Sequence, residues 1–200
     1  MTPKPEPGGP TTQAGIYFQN CISVLRIAEM IAAGHLPDVP AGQIEWVRAE
    51  ARQEVDGTVV AWSSGMREYI QAKLSVEPGT PAWDGMWAHF FRQYQSPDFK
   101  KGSHGDVITL AANYAPRLEE LKTALGRTEN SQDAAKWLGR VTQEQIKILE
   151  KVKASAGIED DAALFAFVKY VRVWLLHFEG DPQETDSFER ETCKILQGVV

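Results

Sequence analysis

Between Ile44 and Lys73 the chain reads as three strands in succession, and this constrains the fold more than any other stretch. Ile44 to Glu50 has the length and the β-branched and aromatic content of a strand, as does Gly57 to Trp62. Ser63, Ser64 and Gly65 have turn composition, and Arg67 to Lys73 alternates as a third strand. A meander of this kind needs a partner layer. The flanking segments supply it, because helical periodicity runs before and after.

Gly15 to Ala33 carries Ile16, Cys21, Val24, Leu25, Ala28 and Ile31 at helical spacing, with Gly34 as the stop. Ala82 to Tyr94 predicts a second helix, whose Trp83, Met86, Trp87, Phe90 and Phe91 are core residues. Asp106 to Ala111 reads as a fourth strand. Helices follow at Pro116 to Gly126, Asp133 to Leu138, Gln143 to Ala156 and Ala162 to Tyr170, the last capped by the acids Glu159, Asp160 and Asp161. Val171 to Phe178 predicts a strand and Asp186 to Gln197 a final helix. The expectation is a mixed α/β core with a mostly helical C-terminal extension. Its divisions are a flexible leader over 1–13, a core over 14–130 and a helical extension over 131–200 packed on that core.

Two hundred residues, 43% of them hydrophobic, suffice for a sizeable core. No stretch approaches the roughly 20 apolar residues of a spanning helix, and Met1 to Pro10 lacks a signal-peptide apolar region, so a cytoplasmic protein is expected. Cys21 and Cys193 stand alone in apolar helical contexts, which predicts buried free thiols rather than a disulfide or zinc site. A net charge of −6 argues against a chain that coats nucleic acid unaided, since such affinity comes from neutralising phosphates. It leaves a nuclease open, because carboxylates that hold a metal add negative charge.

The chemistry concentrates around the second and third strands. If the run from Glu50 to Asp56 is extended, Glu50, Arg52, Glu54 and Asp56 share a face. On the neighbouring strand Tyr69, Gln71 and Lys73 share one face, with Ile70 and Ala72 on the other. Hard divalent cations such as Mg²⁺ take oxygen ligands, and Glu54, Asp56 and the Gln71 amide oxygen are such ligands. Phosphodiester cleavage needs an activated water and stabilisation of developing negative charge, and the Lys73 ammonium suits both. The competing reading is a solvated acidic strand face with Lys73 paired to it. His104, in a glycine-flanked loop, is a candidate for phosphate contact or proton transfer. His35, His89 and His177 share no metal-ligand spacing, and phosphate-loop, dinucleotide and nucleophile-elbow motifs are absent.

An acid, a hairpin and then Gln-x-Lys resembles the PD-(D/E)xK nuclease superfamily, in the variant where Gln replaces the second acid. The chain is similar in particular to the double-stranded DNA endonuclease domain at the N-terminus of bacterial antiviral effectors, including CD-NTase-associated nucleases and NACHT or STAND NTPase proteins. Gly15, Ile16, Tyr17, Phe18 and Gln19 resemble that family's opening Gly-aromatic-Gln helix motif. Glu54, Val55 and Asp56 stand where it has its acidic motif, and Tyr69 to Lys73 matches its Gln-x-Lys strand. The likeness spans 14–130 by motif, and the remainder through Glu179 by general rhythm alone. The family's first acid is usually aspartate; this chain offers both Glu54 and Asp56, so the principal ligand stays open between them.

The resemblance implies a restriction-endonuclease-like mixed sheet flanked by helices and a Mg²⁺-dependent (or Mn²⁺-dependent) endonuclease acting on double-stranded DNA in anti-phage defence. It implies catalytic roles for Asp56, Gln71, Lys73 and Glu54, of which Asp56, Glu54 and Gln71 would hold the metal. Glu50, Gln19 and His104 are supporting candidates. It further implies a C-terminal NTPase or sensor region beyond this chain, and oligomerisation of the full-length protein. The alternative is a catalytically inactive α/β binding or adaptor module whose acidic face recruits a protein partner.

Overall fold

The computed structural model describes residues 10–33, 43–51, 55, 57–176 and 192. The elements run α1 (Pro10–Ala33), β1 (Ile44–Ala51), β2 (Gly57–Trp62), β3 (Arg67–Lys73), α2 (Pro81–Gln95), β4 (Val107–Asn113), α3 (Pro116–Gly126), α4 (Ala134–Leu138), α5 (Gln143–Ser155), α6 (Asp161–Val168) and β5 (Val171–Leu176). Of the helix expected over 186–197, only Thr192 is among the described residues, in helical conformation. Helix α1 begins inside the stretch expected to be a leader, with Pro10 at its start. The fixed φ of proline suits that position, and its missing N–H would have had no helical partner there.

The five strands form one mixed sheet in the order β1-β2-β3-β4-β5. β1, β2 and β3 are antiparallel neighbours, and β4 and β5 add in parallel beyond β3. The first part is the predicted meander, closed by a turn in which the Gly65 N–H donates to the Trp62 carbonyl at 2.7 Å. Gly65 sits at φ +79°, a left-handed conformation that glycine adopts without a Cβ penalty. Parallel strands need long crossovers, and α2 and the α3–α6 series provide them.

Alternation along the strands divides the core in two. Val60, Ile70 and Ala111 face α1, where they meet Phe18, Ile22 and Leu25. Val59, Tyr69, Ile108, Leu110 and Val173 face the other helical layer, packing with Trp83, Trp87 and Phe90 of α2, Leu121 of α3, Trp137 of α4, Val152 of α5 and Phe167 of α6. The aromatics of α2 are core, as their spacing predicted: Trp83, Trp87 and Phe90 are fully buried. The buried stripe of α1 differs from the expected one. Phe18, Ile22, Leu25 and Ala28 point inward, while Ile16, Val24 and Ile31 are exposed, because a helix rich in apolar residues on several sides leaves its facing to the packing partner.

Residues 131–176 share the core of the preceding segment. β5 pairs with β4 from Ile108↔Val171 to Asn113↔Leu176, and α4, α5 and α6 bury Trp137, Leu149 and Phe165 in the same cluster as β4 and α2. Helix α5 opens with a capping box: the Thr142 hydroxyl accepts from the Gln145 N–H, and the Gln145 side chain accepts from the Thr142 N–H at 3.0 Å. Such a box is worth about 1 kcal/mol. Asp160 caps α6 by accepting from the Ala163 N–H at 2.7 Å, as the acidic run predicted.

A charged network ties α1 to the sheet. The Arg26 guanidinium donates to Glu68 Oε1 at 2.9 Å and to Glu29 Oε2 at 2.6 Å, and it lies 4.6 Å from the centre of the Trp174 ring. Thr109 donates to the same Glu68 oxygen at 2.7 Å. Burial works to lower the Arg26 pKa, but the carboxylates of Glu68 and Glu29 outweigh it and hold the guanidinium above its ordinary value.

Candidate functional site

Strand β3, the middle strand of the sheet, carries Gln71 and Lys73 near its C-terminal end. Tyr69 belongs to the cluster under α2 and Ile70 to the cluster under α1, so the two-residue period puts Gln71 and Lys73 on the α2 face and Ala72 on the α1 face. This is the facing the sequence predicted. Tyr69 is 1% exposed, packed with its ring centre 6.0 Å from that of Phe99, and burial raises its phenol above the ordinary value.

Helix α2 makes the opposite wall. The Thr80 hydroxyl caps it by accepting from the Trp83 N–H at 3.3 Å, and Pro81 occupies its first turn. Trp83, Trp87 and Phe90 anchor the helix in the core, which turns Ala82, Gly85, Met86 and His89 toward β3. Those four have i, i+3, i+4, i+7 spacing and therefore share a face. Together with Gln71, Lys73 and Pro81 they line a cleft of about 230 Å³. A Cβ on Gly85 would meet no atom within 4 Å, so packing does not demand glycine there. A mid-helix glycine costs about 1 kcal/mol relative to alanine, and what it provides here is room beside Gln71 and Lys73.

Strand β2 lies beside β3 in the sheet. Thr58 pairs with Ile70 and Val59 with Tyr69, and the same register continued by one residue sets Gly57 opposite Gln71. A Cβ at Gly57 would fall 2.1 Å from the Ile70 carbonyl oxygen and 3.4 Å from the Gln71 Cα. Glycine is thus required where β2 starts beside the polar pair.

The acidic candidates meet the structure differently. Glu54 and Asp56 lie outside the described residues, as does the side chain of Glu50, whose backbone is in β1. The premise that Glu50 to Asp56 is one extended strand falls mostly on positions outside the described residues. β1 ends at Ala51, which pairs with Gly57 at the start of β2, and Val55 is in a bend. The register is also irregular between Arg48 and Ala51. Among the described residues no group of three or more His, Cys, Asp or Glu is placed to hold a metal ion.

Two supporting candidates are not brought to this cleft. Gln19 is on α1, which covers the opposite face of the sheet; its carbonyl accepts from the Ser23 hydroxyl at 3.3 Å. His104 precedes β4, whose Val107 pairs with Glu68 near the start of β3. That is the other end of β3 from Lys73, about 17 Å along the strand at the usual rise per residue. His89, set aside on the sequence for want of a metal-ligand spacing, is the histidine beside Gln71 and Lys73. The signal that would have found it is Gly85 followed four residues later by His89, on a face apart from the Trp83 and Trp87 anchors.

Comparisons with protein-family models, curated proteins and solved structures return no match. The geometry of the cleft therefore bears the functional reading together with the motif resemblance. Cys21 is a free, half-buried thiol on α1 whose pKa burial raises, and Cys193 lies outside the described residues. No described helix is long and apolar enough to cross a membrane.

Proposed function

We propose that this chain is a metal-dependent endonuclease of restriction-endonuclease-like fold that cleaves double-stranded DNA, the effector domain of a larger bacterial anti-phage protein. One observation carries the reading: Gln71 and Lys73 sit side by side on β3 at an open cleft, facing a helix wall that Gly85 keeps clear. An amide and an ammonium on consecutive same-face positions of a central strand match the Gln-x-Lys arrangement on which the family resemblance rests.

The donor set fits a hard cation in kind. The Gln71 amide, about nine-tenths buried, offers a neutral oxygen, and Glu54 or Asp56 would add carboxylate oxygens. Gly57, which follows Asp56 in the sequence, lies against the Gln71 backbone. Bound there, Mg²⁺ would supply Lewis-acid stabilisation of phosphate charge and lower the pKa of water. Lys73 holds the attacking water by hydrogen bonding and opposes the negative charge that builds on the phosphate oxygens as the new P–O bond forms and the old one breaks. His89, on the facing wall, is positioned to contact the phosphodiester backbone.

The test is cleavage of plasmid duplex in Mg²⁺ by wild type and Lys73→Ala. The expected loss is about 100-fold or more, the usual effect of removing a preorganised charge-stabilising donor. Equal rates for the two proteins would refute the proposal. A calorimetric titration with Mg²⁺ separates it from an adaptor module, because only the nuclease reading expects binding that Asp56→Ala abolishes.

A further inference from the structure

A second and larger cleft, of about 620 Å³, opens at the end of the sheet away from Lys73. Its walls are the β2–β3 turn, the loop 100–106 before β4, and the chain entering β5. The volume falls within the usual range for small-molecule sites. In a chain of net charge −6, its charged and titratable lining among the described residues consists of His104, Lys169, Tyr170 and Arg172, with no carboxylate. Lys169 and Arg172 are exposed, and neither is paired with a carboxylate among the described residues.

The loop that closes this cleft is held far more firmly than an exposed loop requires. Asp106, fully buried, accepts from the Arg67 N–H at 2.8 Å and the Lys100 N–H at 3.0 Å, which occupies both carboxylate oxygens. The Gly102 N–H donates to the Tyr170 hydroxyl at 3.0 Å, and Lys100 Nζ donates to the Gly65 carbonyl at 2.8 Å. The Lys101 ammonium lies 4.1 Å from the centre of the Tyr94 ring. Gly105 has no room for a side chain, since a Cβ would fall 2.5 Å from the Lys100 carbonyl oxygen. Yet the tip, Ser103 and His104, is exposed. The anchoring fixes an exposed histidine in the same cleft as Arg172 and Lys169, whose ammonium lies 5.0 Å from the centre of the Phe165 ring, with the half-buried Trp62 also in the lining.

We propose that this cleft binds a mononucleotide, its phosphate held by Arg172, Lys169 and His104 and its base against Trp62. Guanidinium and ammonium groups without acidic partners suit phosphate oxygens, and an indole face suits a flat base. The site is separate from the Gln71–Lys73 cleft and does not depend on the nuclease reading.

The experiment is calorimetric titration of the full chain with AMP, GMP, CMP and UMP, with adenosine and inorganic phosphate as separate probes. At least one nucleotide should saturate, and adenosine and phosphate should each bind about tenfold or more weaker than it, because each retains only half of the contacts. Lys169→Ala/Arg172→Ala should weaken that nucleotide about tenfold or more, whereas Lys73→Ala should leave it unchanged. Should the double variant lose its thermal transition, the exposed His104→Ala gives the same reading. Absence of saturation by every nucleotide overturns the proposal, as does phosphate binding as tightly as nucleotide or wild-type affinity in the double variant. If a short DNA duplex binds through Lys169 and Arg172 and no mononucleotide competes, the cleft is a backbone contact and the proposal fails.

Discussion

Gly57 stands so close to β3 that a Cβ there would lie 2.1 Å from the Ile70 carbonyl oxygen. The contact joins the start of β2 to the strand that carries Gln71 and Lys73. Gly57→Ala must therefore move one strand relative to the other. We expect a loss of about 2 kcal/mol or more in denaturant unfolding, in the range of overpacked cores, and a fall in any Gln71-dependent activity beyond what stability explains. Wild-type stability in this variant would mean that β2 and β3 part more easily than the packing implies.

Gln71 separates metal support from mere burial. Gln71→Glu keeps an oxygen donor of similar size and should retain Mg²⁺-dependent cleavage, while Gln71→Ala removes the donor and should weaken Mg²⁺ binding about tenfold or more. Titration calorimetry and plasmid cleavage report the two quantities separately. Identical metal affinity in wild type and Gln71→Ala would remove Gln71 from the ligand set.

The Arg26–Glu68 pair joins α1 to the sheet at 2.9 Å, with side chains 15% and 7% exposed. Glu68→Ala leaves the buried guanidinium with Glu29 as its remaining carboxylate partner among the described residues and should cost about 2 kcal/mol or more. Arg26→Met/Glu68→Leu, which removes both charges, should recover part of that loss, since the pair's worth lies in mutual compensation. Chemical denaturation of the three proteins decides it. A double variant no more stable than Glu68→Ala would show that Thr109 and the Glu68 shape matter more than charge pairing.

Asp106 accepts from two backbone N–H groups and is fully buried. Asp106→Ala leaves both donors unpaired and should cost about 3 kcal/mol. Amide exchange at Arg67 and Lys100 should quicken before global unfolding, and a uniform effect across the sheet would contradict a local role.

Burial raises the Cys21 thiol, partly offset by a hydrogen bond with Tyr17. The folded pKa exceeds the unfolded one, so this contribution to stability is present below the unfolded pKa and is lost as pH rises through the folded value. In a Cys193→Ser background, alkylation of Cys21 should need more alkaline pH in the folded protein than in denaturant. Coincident pH profiles would show a thiol that folding does not desolvate.

The strand facing of Gln71 and Lys73 was legible in the sequence because alternation is a property of the extended backbone within one segment. Toward Asp56 the same rule reaches only to Ala51, because β1 ends there, paired with Gly57. For His104, a loop histidine beside glycines carries no local mark of which end of the sheet its loop will occupy.

The element order, the meander and the polar pair on β3 follow from the sequence by itself, since periodicity, capping residues and turn composition act over a few positions. Tertiary structure alone decided that α1 and α2 cover opposite faces, that β4 and β5 add in parallel, and that His89 rather than His104 shares a cleft with Lys73. Those outcomes depend on which apolar faces bury each other across long stretches of chain, and no local pattern specifies that choice.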